Sequence, residues 1–273
     1  MKPVRRRIVR WTDGHTRAAV DTLAAEEPLE LRVDTRSIAV VMRTPGHDEE
    51  LAAGFLLTEG LIRRRADLRA ITTNRRNRHG NVVDVFLAPD VPLDFGRLTR
   101  HVFASSSCGL CGAASITAIR KRFPEVGAGF RVTAETLLAL PGRMRAVQTD
   151  FATTGGLHAS ALFNVAGELL CLREDIGRHN ALDKVLGRAL LDDALPLDRH
   201  VLLVSGRVSF EIVQKALAGG VAFVAAVGAP SSLAVDFARK NGQTLVGFLR
   251  DGRFNVYAGA GRMNAGRAAG SGA

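Results

Sequence analysis

The order of apolar and polar residues predicts most of the elements. From Leu29 to Thr44 two apolar runs, LELRV and SIAVVM, flank Asp34-Thr35-Arg36, the pattern of a β-hairpin. DEELAAGFLLTEGLI follows with Leu51, Phe55, Leu56 and Leu61 at helical spacing, and its first turn is acidic, which suits the helix dipole. LRAITT and NVVDVFLA predict a second strand pair around the basic NRRNRHG turn. The first third therefore reads as a small α+β unit.

Farther along, the rhythm changes. GAASITAIRKRF and TAETLLALPGRMRAVQTDF read as helices, with Thr133 placed to cap the second. LHASALFNV and ELLCLRED form a hairpin pattern across Ala166-Gly167, and NALDKVLGRALLDD sets Leu182, Val185, Leu186, Ala189 and Leu190 on one helical face. Strand HVLLVSG, helix SFEIVQKALAGG, strand VAFVAAVG, helix SLAVDFARKNG and strand TLVGFLR complete the series. Strands that are almost wholly apolar and alternate with helices predict a parallel or mixed sheet covered on both faces, an α/β region within a chain that is α+β overall. Ligands of such sheets sit beyond the carboxyl ends of strands, here Ser205–Arg207, Gly228–Ser232 and Arg250–Arg253.

Length and composition narrow the class. The 273 residues allow one large domain or two small ones, and 47% hydrophobic with 23% charged residues is ordinary globular usage. The boundaries read as a basic arm at 1–12, an N-terminal α+β subdomain at 13–104, an α/β domain at 105–258 and a disordered Gly/Ala tail at 259–273. No internal repeat is evident. The opening MKPVRRRIVRW lacks the apolar stretch of an export signal. The longest uncharged run, between Lys215 and Asp236, is broken by Gly219, Gly220, Gly228 and Pro230 into helix end, strand, loop and helix. The expectation is a cytoplasmic protein without a membrane partner. Its net charge of +10 calls for an anionic partner.

Three cysteines are too few for a disulfide framework. Cys108 and Cys111, in SSSCGLCGAAS, stand where a helical pattern begins, and a helix N-terminus lowers a thiol's pKa. Cys108, on the loop side, is the more reactive candidate, and Cys111 is close enough to resolve an intermediate on it. The pair suits redox or sulfur-carrying chemistry. A zinc site would need further ligands such as Cys171 or His158, and two inert buried cysteines are the plain alternative. Cys171, in LLCL, reads as core. Nucleobase deaminases carry H-x-E, whereas His158 begins H-A-S, which argues against that chemistry.

EDIGRHNALDKV gathers Glu174, Asp175, Arg178, His179, Asn180, Asp183 and Lys184 at a strand-to-helix junction. It reads either as a capped, solvated helix start or as a site for a polar ligand, with Arg178 or Lys184 on phosphates. Ser205, Gly206, Arg207 and Ser209 repeat the arrangement, and neither stretch is a P-loop. A nucleic-acid-binding role finds no support, since the thirteen Phe fall in apolar core runs and leave no stacking platform.

SCGLCG, EDIGRHNALDKV, SGRVSFEIVQKA and LVGFLRDGRFNVY, in that order, resemble the FdhD family of sulfurtransferases that activate formate dehydrogenase, from about Pro28 to Tyr257. The resemblance implies a cytidine-deaminase-like layered fold and a homodimer. It also implies a persulfide on Cys108 supplied by a cysteine desulfurase. The sulfur then passes to the molybdenum bis(molybdopterin guanine dinucleotide) cofactor, destined for formate dehydrogenase apoenzyme. By the same resemblance the cofactor-binding stretch is Phe248, Leu249, Arg250, Asp251, Gly252 and Arg253. Arg178, His179, Asn180, Asp183, Lys184, Ser205, Gly206 and Arg207 are added to it from the two polar junctions. A thiol-disulfide oxidoreductase and a cofactor chaperone without sulfur chemistry are the rival readings.

Overall fold

The computed structural model describes residues 3–73, 80–92, 123–127 and 129–264. Cys108, Cys111, the predicted helix GAASITAIRKRF apart from its last residue, Phe123, and most of the NRRNRHG turn lie outside them. Two of the three sheets belong to the first third of the chain. Strands β1 (Val4–Thr12) and β2 (His15–Leu23) form an antiparallel ribbon, turned by Asp13 and Gly14 with φ of 50° and 82°. Positive φ at both central residues is the turn that matches strand twist, and an Asp-Gly pair is its usual sequence. The stretch expected to be a mere basic arm is thus one strand of a hairpin, in which Val4, Ile8, Val9 and Trp11 stand among the arginines and every residue from Val4 to Thr12 pairs with β2.

Strands β3 (Glu27–Val33), β4 (Arg36–Arg43), β5 (Leu68–Thr73) and β6 (Val82–Leu87) make a four-stranded sheet in the order β4-β3-β6-β5. Both hairpin patterns read from the sequence are present as antiparallel pairs, and β3 runs parallel to β6. Helix α1 (Asp48–Thr58) follows β4, as its spacing predicts.

The third sheet is mixed. Strands β7 (His158–Phe163), β8 (Leu169–Asp175), β9 (Val201–Val204), β10 (Phe223–Ala226), β11 (Thr244–Arg250) and β12 (Arg253–Ala258) are ordered β12-β11-β10-β9-β7-β8. β9, β10 and β11 are parallel, and the outer strands are antiparallel additions. Helix α2 (Ala134–Val147) covers one face, packing Leu137, Leu140 and Met144 against Ala161, Phe163, Leu203 and Phe223. Helices α4 (Arg178–Leu191), α5 (Phe210–Ala218) and α6 (Ser232–Lys240) contribute to the core on the other face. Thr133 caps α2 as expected, its hydroxyl accepting from the Thr136 amide at 3.1 Å. The pattern read as one helix through Phe151 is two, because the chain leaves helical geometry at Gln148 and restarts as α3 (Thr149–Thr154). The Glu174 carboxylate on β8 accepts from the Asp150 and Phe151 amides and so caps that restart.

The N-terminal sheet does not stand apart. One apolar core runs from Leu29, Val41 and Val85 through Leu51 and Leu56 of α1 to Leu182, Val185, Leu202 and Val224. Helices α1 and α4 meet backbone to backbone. A Cβ added to Gly54 would sit 1.8 Å from the Asp183 carbonyl oxygen, and one added to Gly187 would sit 1.8 Å from that of Glu50. Small residues at a crossing let helix axes approach and bury both faces at once. Polar ties follow the same seam. Arg173 of β8 grips Glu50 with two hydrogen bonds of 2.5 and 2.7 Å. Although burial pushes the Glu50 carboxyl up, Arg173 and His47 outweigh it and hold it down at about 2.

The first residues of the expected tail are ordered by contacts of their own. Gly259–Met263 makes a short turn, and the Arg262 guanidinium, buried, donates to the carbonyls of Gly242 and Gly127 at 2.7 and 2.6 Å. Among the described residues no helix is long and apolar enough to cross a membrane.

Candidate functional site at the strand ends

One edge of the six-stranded sheet collects the carboxyl ends of β8, β9, β10 and β11 and the start of β7. At roughly 4.8 Å per strand, β8 to β11 spans nearly 20 Å, the reach of an extended dinucleotide. Backbone contacts lace the loops together. Ser205 and Ala159 are tied twice, through amide to carbonyl and through the Ala159 amide to the Ser205 hydroxyl, both at 2.9 Å. The Gly228 amide donates to the Gly206 carbonyl at 3.1 Å, and the Phe248 amide donates to that of Gly228 at 3.0 Å. Glycine is required at this stack: a Cβ on Gly228 would lie 2.7 Å from the Gly206 oxygen. Phe248 itself takes a positive φ of 53° inside β11, at an irregularity in that strand's pairing with β12.

Three helices start along this edge. Ser231 caps α6 through the Ala234 amide at 3.2 Å. Gly177 before α4 and Ser209 before α5 make no side-chain cap to the helices they open. Beside them lie buried polar atoms with no hydrogen bond in the described structure: Arg178 Nε, His179 Nε2 and Ser209 Oγ. His179 Nε2 is 3.3 Å from a Glu211 carboxylate oxygen without hydrogen-bonding geometry. Burial, then Lys215, Arg178 and His158, push the His179 imidazole down to about 3, which keeps it neutral near neutral pH. His158, next to Gly206, is also lowered, first by burial and then by Arg178. Uncapped helix starts with orphaned donors fit an anion such as pyrophosphate.

The fourteen cofactor-binding candidates divide. Arg178, His179, Ser205, Gly206, Arg207 and Phe248 lie on this edge, and Arg207 is exposed. Arg250, Asp251, Gly252 and Arg253 form the exposed β11–β12 turn, with positive φ at Asp251 and Gly252 and the Arg250 guanidinium 5.8 Å from the Phe248 ring centre.

Four candidates have other duties. Leu249 is fully buried in the core between sheet and α2, since its side chain alternates inward from Phe248 and Arg250. Lys184 donates to the Asp175 carboxylate at 2.7 Å and to the Thr44 carbonyl at 2.9 Å. Asn180 donates to Asp175 and to the Met42 carbonyl. Asp183 receives Lys215 at 2.8 and 3.0 Å and the Thr58 hydroxyl at 2.9 Å. These three polar side chains are buried and bind α4 to β4 and the loop after it, to β8, to α5 and to α1, so phosphates cannot reach them. The prediction of Lys184 as a phosphate ligand is corrected on that ground. Burial pushes the Asp183 carboxyl up. Burial opposes charge on Lys215, but Asp183, Glu211 and Glu59 overcome it and raise its pKa.

Sequence reasoning passed over Ser209 as a site residue and read His158 as structural. The signal for Ser209 was its place two residues after Arg207, at a helix start.

Residues 24–264 match the FdhD/NarQ family. A protein of Streptomyces coelicolor named sulfur carrier protein FdhD is 52% identical over 98% of both chains. Its namesake in Mycobacterium tuberculosis is 51% identical over 89% of this chain and 92% of its own. A solved structure described as a formate dehydrogenase accessory protein, from Desulfotalea psychrophila, covers 96% of this chain and 99% of its own with a TM-score of 0.79 at 24% identity, and so shares the fold. By that family match and by close relatives along nearly its whole length, the chain belongs to the FdhD/NarQ family.

Proposed function

We propose that the protein is a sulfurtransferase for the maturation of formate dehydrogenase. Cys108 accepts sulfur from a cysteine desulfurase, and the strand-end edge holds the guanine dinucleotide part of the molybdenum cofactor that receives it. The observation that carries the second half is the pair of helix starts without a side-chain cap beside Arg178 Nε and Ser209 Oγ, both buried without a hydrogen bond in the described structure. The names of the half-identical relatives support the first.

The chemistry balances in two steps. The Cys108 thiolate attacks the outer sulfur of the donor's persulfide; the donor S–S bond breaks, the donor cysteine leaves as thiolate, and Cys108 carries the persulfide. Cys111 thiolate then attacks Cys108 Sγ, a Cys108–Cys111 disulfide forms, and the outer sulfur leaves with its electron pair as sulfide for the metal. Two thiols are oxidised as the sulfane sulfur is reduced, and a dithiol reductant resets the pair. The cofactor is substrate here. Arg178, the α4 and α5 amides and the Arg250–Arg253 turn would bind its phosphates, and neutral His179 adds no charge near them.

Incubation with a cysteine desulfurase and cysteine, followed by alkylation and mass spectrometry, is expected to find one added sulfur on Cys108. Full transfer by Cys111→Ala would remove Cys111 from the second step. No sulfur on Cys108, with guanine nucleotide still bound, would favour a cofactor chaperone.

A further inference from the structure

The β1–β2 ribbon carries an apolar face that the rest of the described chain does not cover. Residues two apart on a strand share a face. Arg5, Arg7, Val9 and Trp11 therefore stand together, opposite Thr22, Val20, Ala18 and Thr16 in the ribbon's register. Val9 is 73% exposed, Trp11 67% and Val20 49%, on one side of a hairpin nine residues long. Such a ribbon is marginal by itself in water, and adjacent exposed large apolar side chains mark a contact surface. Among the described residues β1 and β2 hydrogen-bond as strands only with each other, so an outer strand edge is open as well.

Its place matters. The ribbon's root lies against α3, and an added Cβ on Gly156 would touch the Ala24 side chain at 3.7 Å. Gly156 is two residues from His158, so the ribbon springs from the rim of the strand-end site. A partner that lies along the ribbon therefore reaches that rim at the ribbon's root.

The chemistry of the face selects the occupant. Tryptophan and arginine are the residues most enriched where protein contacts concentrate their energy. Arg10 on the opposite face already has Asp21 at 3.8 Å, whereas Arg5 and Arg7 on this face call for acidic groups opposite them. A second copy docked on it would bring together two ribbons that each carry more arginine than aspartate, and that repulsion is unfavourable. An open strand edge offers backbone hydrogen bonds that a polypeptide strand can complete and a lipid surface cannot.

We propose that the β1–β2 ribbon is a docking arm for an acidic protein surface, that of the apoenzyme which collects the cofactor from the adjacent rim. This rests on the function proposed above. Cofactor-free formate dehydrogenase is the probe, its affinity measured for the wild-type protein, for Val9→Ser/Trp11→Ser and for Arg5→Glu/Arg7→Glu. Both variants are expected to bind about tenfold more weakly or worse, while guanine nucleotide affinity and persulfide on Cys108 stay at wild-type level. A photo-crosslinker at position 11 is expected to mark an acidic segment of the apoenzyme. Unchanged affinity in both variants overturns the arm and leaves the sulfurtransferase standing. So does crosslinking only to a second copy. So, too, does ribbon-dependent retention on phosphatidylserine vesicles or a single-stranded oligonucleotide with apoenzyme binding intact. Loss of sulfur uptake and nucleotide binding by the wild-type protein would instead refute the function, and the arm's assignment with it.

Discussion

Helix α4 opens with polar residues of one composition and two fates. Toward α1, Asn180, Asp183 and Lys184 are buried and each has its partners: Met42, Thr44, Thr58, Asp175 and Lys215. Toward the strand ends, Arg178 Nε and His179 Nε2 are buried without a hydrogen bond, and Ser209 Oγ at the neighbouring helix start is in the same condition. A fold that satisfies one set so fully and leaves the other open has separated two tasks within seven residues. The inner set joins the two layers of the molecule; the outer set is ready for a ligand.

Removing one partner of the inner set is the strongest way to break this division. Asp183→Ala leaves the Lys215 ammonium buried without its counter-ion, and the expected loss is about 3–5 kcal/mol in urea unfolding. Asp183→Leu with Lys215→Met is expected to recover much of it. A loss below about 1 kcal/mol for the single variant would mean that water reaches the pair. Gly187→Ala tests the same seam sterically. Its Cβ has no room beside the Glu50 carbonyl, so α1 and α4 must part, at about 3 kcal/mol.

Strand and helix periods made most of the fold legible, down to the cap at Thr133 and the three strand-end loops. What stayed hidden has physical reasons. The ribbon reads as a solvated arm because Arg5, Arg6, Arg7 and Arg10 dominate its composition, yet the Asp13-Gly14 pair signalled the hairpin turn. Asp183 and Lys184 read as ligands because a strand-to-helix junction is usually half wet, whereas α4 is covered by α1 on one side and by the sheet on the other. The glycines at 54 and 187 carried that information, and only the fold shows that they face one another. Leu249 fell within a stretch carried over whole, although strand alternation already turned it inward.

The outer set should respond in the opposite sense. Arg178→Ala removes a charged donor that has no structural partner at Nε, so unfolding stability should stay within about 1 kcal/mol of wild type. Guanine nucleotide affinity should fall about 10- to 100-fold, the worth of a charge-assisted hydrogen bond. If the variant instead unfolds like Asp183→Ala while binding nucleotide normally, the two faces of α4 do not differ in task.

The smallest expected effect concerns His179. Its folded pKa of about 3 lies below the ordinary value of 6.5, so on acidification the unfolded chain takes up the proton first. This residue costs nothing above pH 6.5, and below it folding loses stability until pH falls to about 3. His179→Gln should remove about 1 kcal/mol of that loss at pH 5.5, measured as a flatter stability profile between pH 7 and 5. His158→Gln is the control, because that imidazole is depressed in the same direction. Nucleotide phosphates at the strand ends would favour the imidazolium, so saturating guanosine diphosphate should flatten the wild-type profile as well. Asp183→Ala would remain unstable at every pH in that range, with or without nucleotide, since its defect lies on the face the ligand does not touch.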